Sequence, residues 1–296
     1  MNLRQLEYVV AVLDQGTFRG AADACHVSQP ALSHAIAALE LELGTALFRR
    51  TGRRVTVTAA GERVAVAARR VLRAGEGVRL AARDLALESG RLVLAAPPTS
   101  AAATLVPLVA AFRRRYPGVS VRIEAPEQPE RIEQLVLAGA CDLGVTPRPV
   151  RPPLTSLALE MEEFVGVFPP VGEVPDVLSP RDLADLALVV PVGADALAAE
   201  LAARRSSRAL LPAVETHSRE AVVPLVLAGA GAAFLPRPLA DAAAALGARL
   251  VALDPPVLRP LWLVYEPAEL TPAGQAFLEL AGPAGHKQGA EPPPAG

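Results

Sequence analysis

At 296 residues the chain is long enough for two to three domains, and its 51% apolar and 20% charged residues exclude a chain that is disordered throughout. The net charge of −2 does not by itself indicate a nucleic-acid partner, but the charge is unevenly distributed. Residues 1–88 hold 12 arginines against 9 acidic residues, a balance of +3 that leaves −5 for the remainder. The N-terminal part is therefore the better candidate for binding a polyanion.

The sequence argues against several classes of protein. Cys25 and Cys141 fall in different predicted domains, and we expect two buried, reduced thiols rather than a disulfide or a metal pair. The apolar runs are interrupted by proline, glycine or charge and no signal peptide is evident, which predicts a soluble, cytoplasmic protein without membrane association. Without a nucleophile elbow, phosphate loop, dinucleotide fingerprint or metal-spaced histidines and cysteines, we expect no enzymatic activity, no cofactor and no metal.

The first residues predict two short helices joined by a turn. Apolar residues recur at the three- and four-residue steps of an amphipathic helix between Leu3 and Leu13, and Gly16 ends this helix. Thr17 is placed to cap the second helix, whose small apolar residues allow a close approach of its neighbours. The pattern is typical of a compact three-helix unit.

The third predicted helix has two contrasting faces. Ser28 is placed to cap it and Pro30 lies in its first turn, where a missing N–H costs nothing. Four residues fall within a narrow arc and are expected to face the core: Leu32, Ile36, Leu39 and Leu43. The exposed first turn and the opposite arc present candidates for base contacts: Gln29, Pro30, Ser33, His34 and Ala37. An ordinary solvated face would show the same pattern, so the helix alone leaves both interpretations open.

A basic hairpin is predicted directly after this helix, in residues 47–58. Alternating valine and threonine indicate strands, and four arginines flank the intervening Thr-Gly turn: Arg49, Arg50, Arg53 and Arg54. Such a loop alone is usually solvated surface. Beside a helix-turn-helix it forms the wing of a winged helix, and we expect it to contact phosphates or a narrow minor groove.

Residues 59–88 predict one long helix with a dimerisation seam. Its apolar residues keep a strict seven-residue spacing: Val64, Val71, Val78 and Leu85. Alanines at the interleaved positions allow a second helix to approach closely. Gly75 and Gly77 each cost about 1 kcal/mol of helix stability relative to alanine, so packing must support the helix. Packing of the helix on its own domain alone is the alternative.

Beyond residue 89 predicted strands alternate with helices, which indicates parallel sheets. The strands are expected at residues 91–96, 119–125, 141–146, 164–168, 186–192, 213–216, 232–235, 249–253 and 261–266. The clearest helices are expected at about 102–116, 130–138 and 272–281. Residues 283–296 form a Pro/Gly-rich tail that we predict to be disordered.

Open parallel sheets bind ligands outside the carboxyl ends of their strands. The loops at those ends carry the candidate ligand contacts: Thr99, Ser100, Gln128, Thr146, Val192, Gly193, Thr216 and His217. Thr99 and Ser100 precede a predicted helix, where free N–H groups favour an anion. A plain helix cap with no ligand is the alternative for this pair.

Residues 1–65 resemble the DNA-binding region of the LysR-type transcriptional regulators. The matching segments include LRQLEYVVAV (3–12), VSQPALS (27–33), LFRRTGRRV (47–55) and TAAGE (58–62). One departure is that the family commonly has arginine where this chain has His34. The C-terminal half resembles the effector domain of the same family, through LVPLVAAFRRRYPGVSVRI (105–123), LAGACDLGV (137–145) and VPLVLAGAGAAFLPRPLA (223–240).

The resemblance implies an α+β multi-domain fold with a winged helix-turn-helix at residues 1–58 and a dimerising linker helix at 59–88. It implies a two-lobed α/β effector domain of the periplasmic-binding-protein type (type 2) at 89–282. Lobe I is expected at about 91–158 and 264–282, and lobe II at about 159–263. In such a regulator the DNA contacts would come from Thr17, Ser28, Gln29, Pro30, Ser33, His34, Arg49, Arg50, Arg53 and Arg54.

The same resemblance implies the partners. We expect a homodimer or homotetramer that binds double-stranded DNA sequence-specifically and senses a small, often anionic, effector between its lobes, with RNA polymerase as a further partner if it activates transcription. A DNA-binding protein that needs no ligand is the alternative, and a solute-binding protein or enzyme on the same α/β fold is a remoter one.

Overall fold

The computed structural model describes residues 1–51, 54–81, 90–126, 128–179, 182, 186–192 and 212–282. Three helices and a hairpin form an N-terminal head, one long helix follows, and two α/β lobes complete the chain. Within this described part, no helix is both long and apolar enough to cross a membrane.

The head is built from α1 (Leu3–Gln15), α2 (Phe18–Ala24) and α3 (Gln29–Leu43). Each helix begins at a side-chain cap, because the side chains of Asn2, Thr17 and Ser28 accept hydrogen bonds from backbone N–H groups of the first turns. Gly16 and Gly44 end α1 and α3 with left-handed backbone geometry. These local signals explain why the sequence predicts the three helices well.

The inward face of α3 forms the centre of the head. Leu32, Ile36 and Leu39 are buried as predicted and pack with residues of α1 and α2. The prediction was wrong for Leu43, which is 39% exposed. Leu43 is the last residue of α3 and belongs to neither buried apolar cluster of the head.

The wing is an antiparallel pair of strands, β1 (Phe48–Thr51) and β2 (Arg54–Val57). It is fixed to α3 by Glu40, whose Oε1 accepts from the backbone N–H groups of Leu47 at 2.7 Å and Phe48 at 3.1 Å. The ring of Phe48 also makes an edge contact with Phe18 at 5.9 Å between centroids. The hairpin therefore holds a defined position beside α3.

The long helix α4 (Ala59–Ala81) is joined to the head by close packing. Ala65 and Ala68 are buried against Leu6 and Val9 of α1, where small side chains let the two helices approach. Gly61 is required at the start, because a Cβ there would lie 2.2 Å from the carbonyl oxygen of residue 47. The predicted helix 59–88 is thus observed to Ala81, and its last residues lie outside the described part.

The α/β part begins with β3 (Gly90–Ala95), α5 (Pro98–Ser100), a π-helical turn (Ala101–Leu105), α6 (Val106–Arg115), β4 (Val119–Glu124), α7 (Pro129–Leu137), β5 (Leu143–Thr146) and β6 (Thr155–Ala158). It continues with β7 (Glu162–Phe168), β8 (Val177–Leu178), β9 (Val189–Pro191), β10 (Val214–Thr216), a 3-10 turn (Arg219–Ala221), α8 (Val222–Leu227), β11 (Ala233–Pro236), α9 (Arg237–Ala245), β12 (Arg249–Leu253) and β13 (Val257–Arg259). It closes with β14 (Trp262–Tyr265), a 3-10 turn (Pro267–Glu269) and α10 (Pro272–Ala281).

These strands form one large sheet in each lobe. Lobe I has the order β4-β3-β5-β14-β6, and apolar clusters cover both of its faces. Lobe II has the order β11-β7-β12-β8, with β13 also paired to β7, and a separate parallel pair of β9 and β10. The chain passes from lobe I to lobe II after β6 and returns after β13. Trp262 and Leu263, expected in lobe II, pair with β5 and β6 of lobe I.

The prediction of parallel sheets was wrong, because both large sheets are mixed. In lobe I, β14 is antiparallel to β5 and β6, and in lobe II, β7 is antiparallel to β11, β12 and β13. Parallel neighbours require a long crossover connection, whereas β14 arrives directly from lobe II and enters its sheet from the opposite end. Strands β6, β8 and β13 were not predicted, since they are only two to four residues long and flanked by proline.

Candidate DNA-binding head and effector cleft

The first turn of α3 is the exposed tip of the head. Gln29 and Pro30 are exposed there, His34 is exposed in the next turn, and Ser33 is half-buried. The structure thus brings the predicted base-reading residues together on one surface, opposite the packed face of the same helix. A polar surface at the N-terminal end of a helix fits the major groove, where amide and hydroxyl groups read base edges.

Two of the predicted DNA contacts already have a structural role. The Oγ1 of Thr17 accepts from Gly20 N at 3.0 Å, and the Oγ of Ser28 accepts from Ala31 N at 3.4 Å. These hydroxyls stabilise the N-termini of α2 and α3, and both residues are exposed. A contact of either residue with DNA remains a prediction.

The wing carries one arginine whose exposure the structure describes. Arg49 is exposed on β1, where its backbone pairs with Thr56 of β2. Arg50 and Arg54 belong to the same pair of strands, and Arg53 lies outside the described residues. An exposed guanidinium next to a groove-reading helix is suited to the phosphate backbone.

In the α/β part, hydrogen bonds join the two lobes at the predicted ligand site. Thr99 of lobe I is half-buried, and its Oγ1 accepts from Arg219 Nη1 of lobe II at 3.3 Å. Arg219 begins the 3-10 turn after β10, and sequence reasoning missed it. Its position three residues after the end of a predicted strand, next to the candidate His217, is the signal that could have indicated it.

Ser100 does not face open solvent, although it was predicted as a ligand contact. It is 2% exposed and hydrogen-bonded to Glu162, the first residue of β7, which also accepts from Thr104 Oγ1 at 3.5 Å. Burial raises the pKa of Glu162. The helix begins at Pro98, four residues earlier than predicted, because a proline is well suited to a first turn. Ser100 is therefore inside the helix and not ahead of it.

The other predicted ligand contacts differ in accessibility. Thr146 is fully buried and donates to the carbonyl oxygen of Arg148 at 2.7 Å, so its hydroxyl serves the local turn. Gln128 is exposed at the cap position of α7 and its side chain makes no cap hydrogen bond. Val192 is exposed, and its N–H donates to the carbonyl oxygen of Thr216 at 2.9 Å.

Two further candidates stand beside Val192. The Oγ1 of Thr216 accepts from Ser218 N at 3.0 Å, and His217 is exposed. Gly193 lies outside the described residues. The strand ends that carry Val192 and Thr216 thus meet as expected, and Arg219 follows them.

The predicted dimerisation seam of α4 is divided into two parts. Val64 is half-buried against the apolar cluster that joins α4 to the head, so it serves its own domain. Val71 and Val78 are 44% and 70% exposed. Leu85 lies outside the described residues.

Neither cysteine has the lowered thiol pKa that a reactive cysteine needs. Cys141 is buried beside β5, and burial raises the pKa of its thiol to about 12. Cys25 is half-buried, which corrects the expectation of full burial, and desolvation raises its pKa as well.

Asp142 is buried and structural: Val93 N and Thr271 Oγ1 donate to it at 2.7 and 2.9 Å. Among the described residues, no group of three or more histidines, cysteines and acids is arranged to hold a metal.

Two family models match the chain. The model of the bacterial regulatory helix-turn-helix protein, lysR family, matches residues 3–62, and the model of the LysR substrate binding domain matches residues 85–284. The chain is 36% identical over 178 residues to the probable HTH-type transcriptional regulator LrrA of Synechococcus elongatus, a match that covers 58% of this chain and 60% of that relative. The match therefore spans less than two thirds of the length of this relative.

Solved structures share the fold over almost the whole chain. Full-length OxyR from Pseudomonas aeruginosa has a TM-score of 0.73 at 24% identity, covering 95% of this chain and 93% of that chain. Full-length CbnR complexed with its target DNA has a TM-score of 0.61 at 24% identity, covering 95% of this chain and 99% of that chain. At these identities the likeness shows the fold alone. The chain, whose two parts both match, belongs to the LysR family of bacterial regulatory helix-turn-helix proteins, a family of regulators and not of enzymes.

Proposed function

We propose that this chain is a sequence-specific, DNA-binding transcriptional regulator controlled by a small-molecule effector. The observation that carries the proposal is the exposed N-terminal part of α3, which presents Gln29, Pro30 and His34, together with the exposed Arg49 of the wing. The opposite face of α3 is packed and the wing is bonded to the helix through Glu40, so both elements would meet a duplex as one rigid surface. Membership of the family and the solved complex of CbnR with DNA support the same conclusion.

The head offers different chemistry to bases and to phosphates. Gln29 can pair with adenine through its amide, Ser33 can donate to or accept from a base edge, and Pro30 offers an apolar contact for a thymine methyl group. Arg49 supplies the charge for the backbone, which carries no sequence information. His34 occupies the position where the family commonly has arginine, and its side chain is shorter than that of arginine.

The test compares base reading with phosphate binding on one DNA. A site selected by the wild-type protein from a random duplex library is titrated by fluorescence anisotropy at several salt concentrations. Gln29→Ala or Ser33→Ala is expected to cost about 1–3 kcal/mol on the selected site and to relax the preference at one base pair. Arg49→Ala is expected to weaken binding to every sequence and to lower the salt slope by about 1.

The two kinds of variant serve as controls for each other. If Gln29→Ala and Ser33→Ala reduce binding equally on selected and scrambled sites, α3 does not read bases and the proposal of sequence-specific recognition is refuted. An unchanged salt slope in Arg49→Ala would exclude this arginine from the phosphate contacts.

The effector is proposed to bind between the lobes and to contact Thr99 and Arg219. Their hydrogen bond crosses from one lobe to the other, so a ligand at this point would change how the lobes close. The guanidinium of Arg219 and the N–H groups at the start of the helix favour a carboxylate or another small anion. The other predicted contacts that are exposed or half-buried are Gln128, Val192, Thr216 and His217.

A thermal-shift screen of small carboxylates and aromatic acids tests this site. A ligand at a hundred times its Kd stabilises the folded state by about 2.7 kcal/mol, which is expected to raise the Tm of the wild type by several degrees. Arg219→Ala should abolish the shift, whereas Arg148→Ala, which removes an exposed arginine of lobe I, should leave it unchanged. If no compound shifts the Tm or changes DNA affinity, binding that requires no effector becomes the better description.

The exposed Val71 and Val78 support a homodimer or homotetramer held by α4. Two heads would then read half-sites about one helical turn, or a multiple, apart. A regulator of this kind acts in the cytoplasm, and RNA polymerase would be its partner if it activates transcription.

A further inference from the structure

A separate set of ion pairs joins α4 to lobe I. Glu269, in the 3-10 turn before α10, forms ion pairs with two arginines from successive turns of α4. Arg73 Nη2 lies 3.1 Å from its Oε2, and Arg70 Nε lies 3.1 Å from its Oε1. The side chains of Arg73 and Glu269 are only 17% and 22% exposed, so this contact is partly shielded from water. Shielding makes a charge-assisted pair stronger than one on the open surface.

A glycine of lobe I leaves the space that the guanidinium group of Arg73 occupies. Gly139, in the turn after α7, has a φ of 64°, and a Cβ there would lie 2.1 Å from Arg73 Nη2 and 2.7 Å from Cζ. The guanidinium group therefore rests against bare backbone. The buried Nε of Arg73 has no hydrogen-bond partner within the described residues. When lobe I docks on α4, Arg73 therefore loses water without gaining a partner for its Nε. This cost offsets part of the free energy gained from the ion pair with Glu269 and keeps the contact reversible.

The other side of α4 is bonded to the head. Arg69 pairs with Asp14 of α1, and Ala65 and Ala68 are buried against the same helix. Three arginines of α4 therefore connect two domains, Arg69 to the head and Arg70 and Arg73 to lobe I. Because α4 is packed on the head, the two are expected to move together. The position of lobe I on α4 would therefore set the orientation of α3 relative to lobe I.

Among the described residues, Glu269 makes the ion pairs that join lobe I to the head and α4. A cavity of about 1180 Å³ separates them, lined on one side by α1 and α4 and on the other by the edge of lobe I. The ion pairs on Glu269 therefore lie beside an open space and not within a continuous apolar interface. Such an interface is held by few groups and is easily opened.

We propose that Glu269, Arg70, Arg73 and Gly139 form a latch that holds lobe I on the linker helix and thereby fixes the orientation of the DNA-binding head. The closed latch and an open arrangement are two states of the chain, and any event that favours one redirects the head. The consequence for DNA rests on the proposed function, whereas the latch itself is a property of the chain alone.

Hydrogen–deuterium exchange of the full-length protein, without DNA or effector, tests the latch. Glu269→Arg replaces attraction by repulsion and is expected to accelerate exchange in peptides covering residues 136–142 and 266–271 about tenfold. Adding Arg73→Glu restores opposite charges and should return exchange toward the wild-type rate. Glu130→Arg is the matched control, since it breaks the pair with Arg148 on the exposed surface of lobe I and should leave both peptides unchanged.

A second variant guards against misfolding. Gly139→Ala should open the latch by a clash with Arg73, so combining it with Arg73→Ala should add less than the sum of the two effects on exchange in residues 266–271. The proposal is overturned if Glu269→Arg changes neither peptide, if Arg73→Glu gives no rescue, or if Gly139→Ala and Arg73→Ala act additively. Loss of base preference in Gln29→Ala bears only on the proposed function, because that variant should keep wild-type exchange at the latch.

Discussion

Phe277→Ala is expected to lower the free energy of unfolding by about 3–5 kcal/mol, because it leaves a large cavity in the core of lobe I. Phe277 lies in the middle of α10 and its side chain is fully buried. Its ring contacts Phe112 of α6 edge-on, with 5.5 Å between centroids, in an apolar cluster that also contains residues of β3 and β5. Removal of the ring would abolish this contact between α6 and α10.

Urea unfolding at neutral pH, followed by far-ultraviolet circular dichroism, measures the change. Leu246→Ala is the matched control, because Leu246 is 69% exposed and its truncation should stay within about 0.5 kcal/mol. Phe277→Leu keeps most of the apolar volume and should cost clearly less than Phe277→Ala. Equal unfolding midpoints for Phe277→Ala and Leu246→Ala would show that α10 does not stabilise lobe I.

The head was well predicted because its signals are local. Caps such as Thr17 and Ser28 lie within three residues of the N–H groups that they bond, and the inward stripe of α3 follows from a single helical period. The one failure in this stripe, Leu43, concerns the end of a helix, where burial depends on which neighbours extend that far. Local patterns therefore predict where the helices form, whereas the burial of residues at their ends depends on neighbours that are distant in sequence.

The surroundings of the candidate ligand contacts were predicted less well because they depend on contacts between distant segments. Ser100 and Glu162 are bonded across 62 positions of sequence, and Arg219 reaches Thr99 across 120, so no spacing rule could pair them. The antiparallel entry of β14 likewise depends on how the chain returns from lobe II. The positions of the strand ends were nonetheless predicted well, since Thr99 and Val192 follow β3 and β9, and Thr216 is the last residue of β10.

Val71→Asp combined with Val78→Asp is expected to convert the protein to monomers and to weaken binding to a two-half-site DNA at least about a hundredfold. Both valines are exposed on the described surface of α4 and repeat at the heptad spacing that brings two helices together. Carboxylates at facing positions of two identical helices would be desolvated and would repel each other. Without the second head, the gain from linking two half-sites is lost, and that gain commonly reaches 10²–10⁴.

Sedimentation velocity gives the oligomeric state, and anisotropy titrations on one and two half-sites give the loss of linkage. Val171→Asp is the control for the same chemical change, because Val171 is 84% exposed in lobe II, outside α4. The double variant should bind a single half-site as well as the wild type does, since Gln29 and Arg49 are untouched. Equal losses on one and two half-sites would mean that the substitutions damage the head itself, and unaltered sedimentation would place the dimer interface elsewhere than on α4.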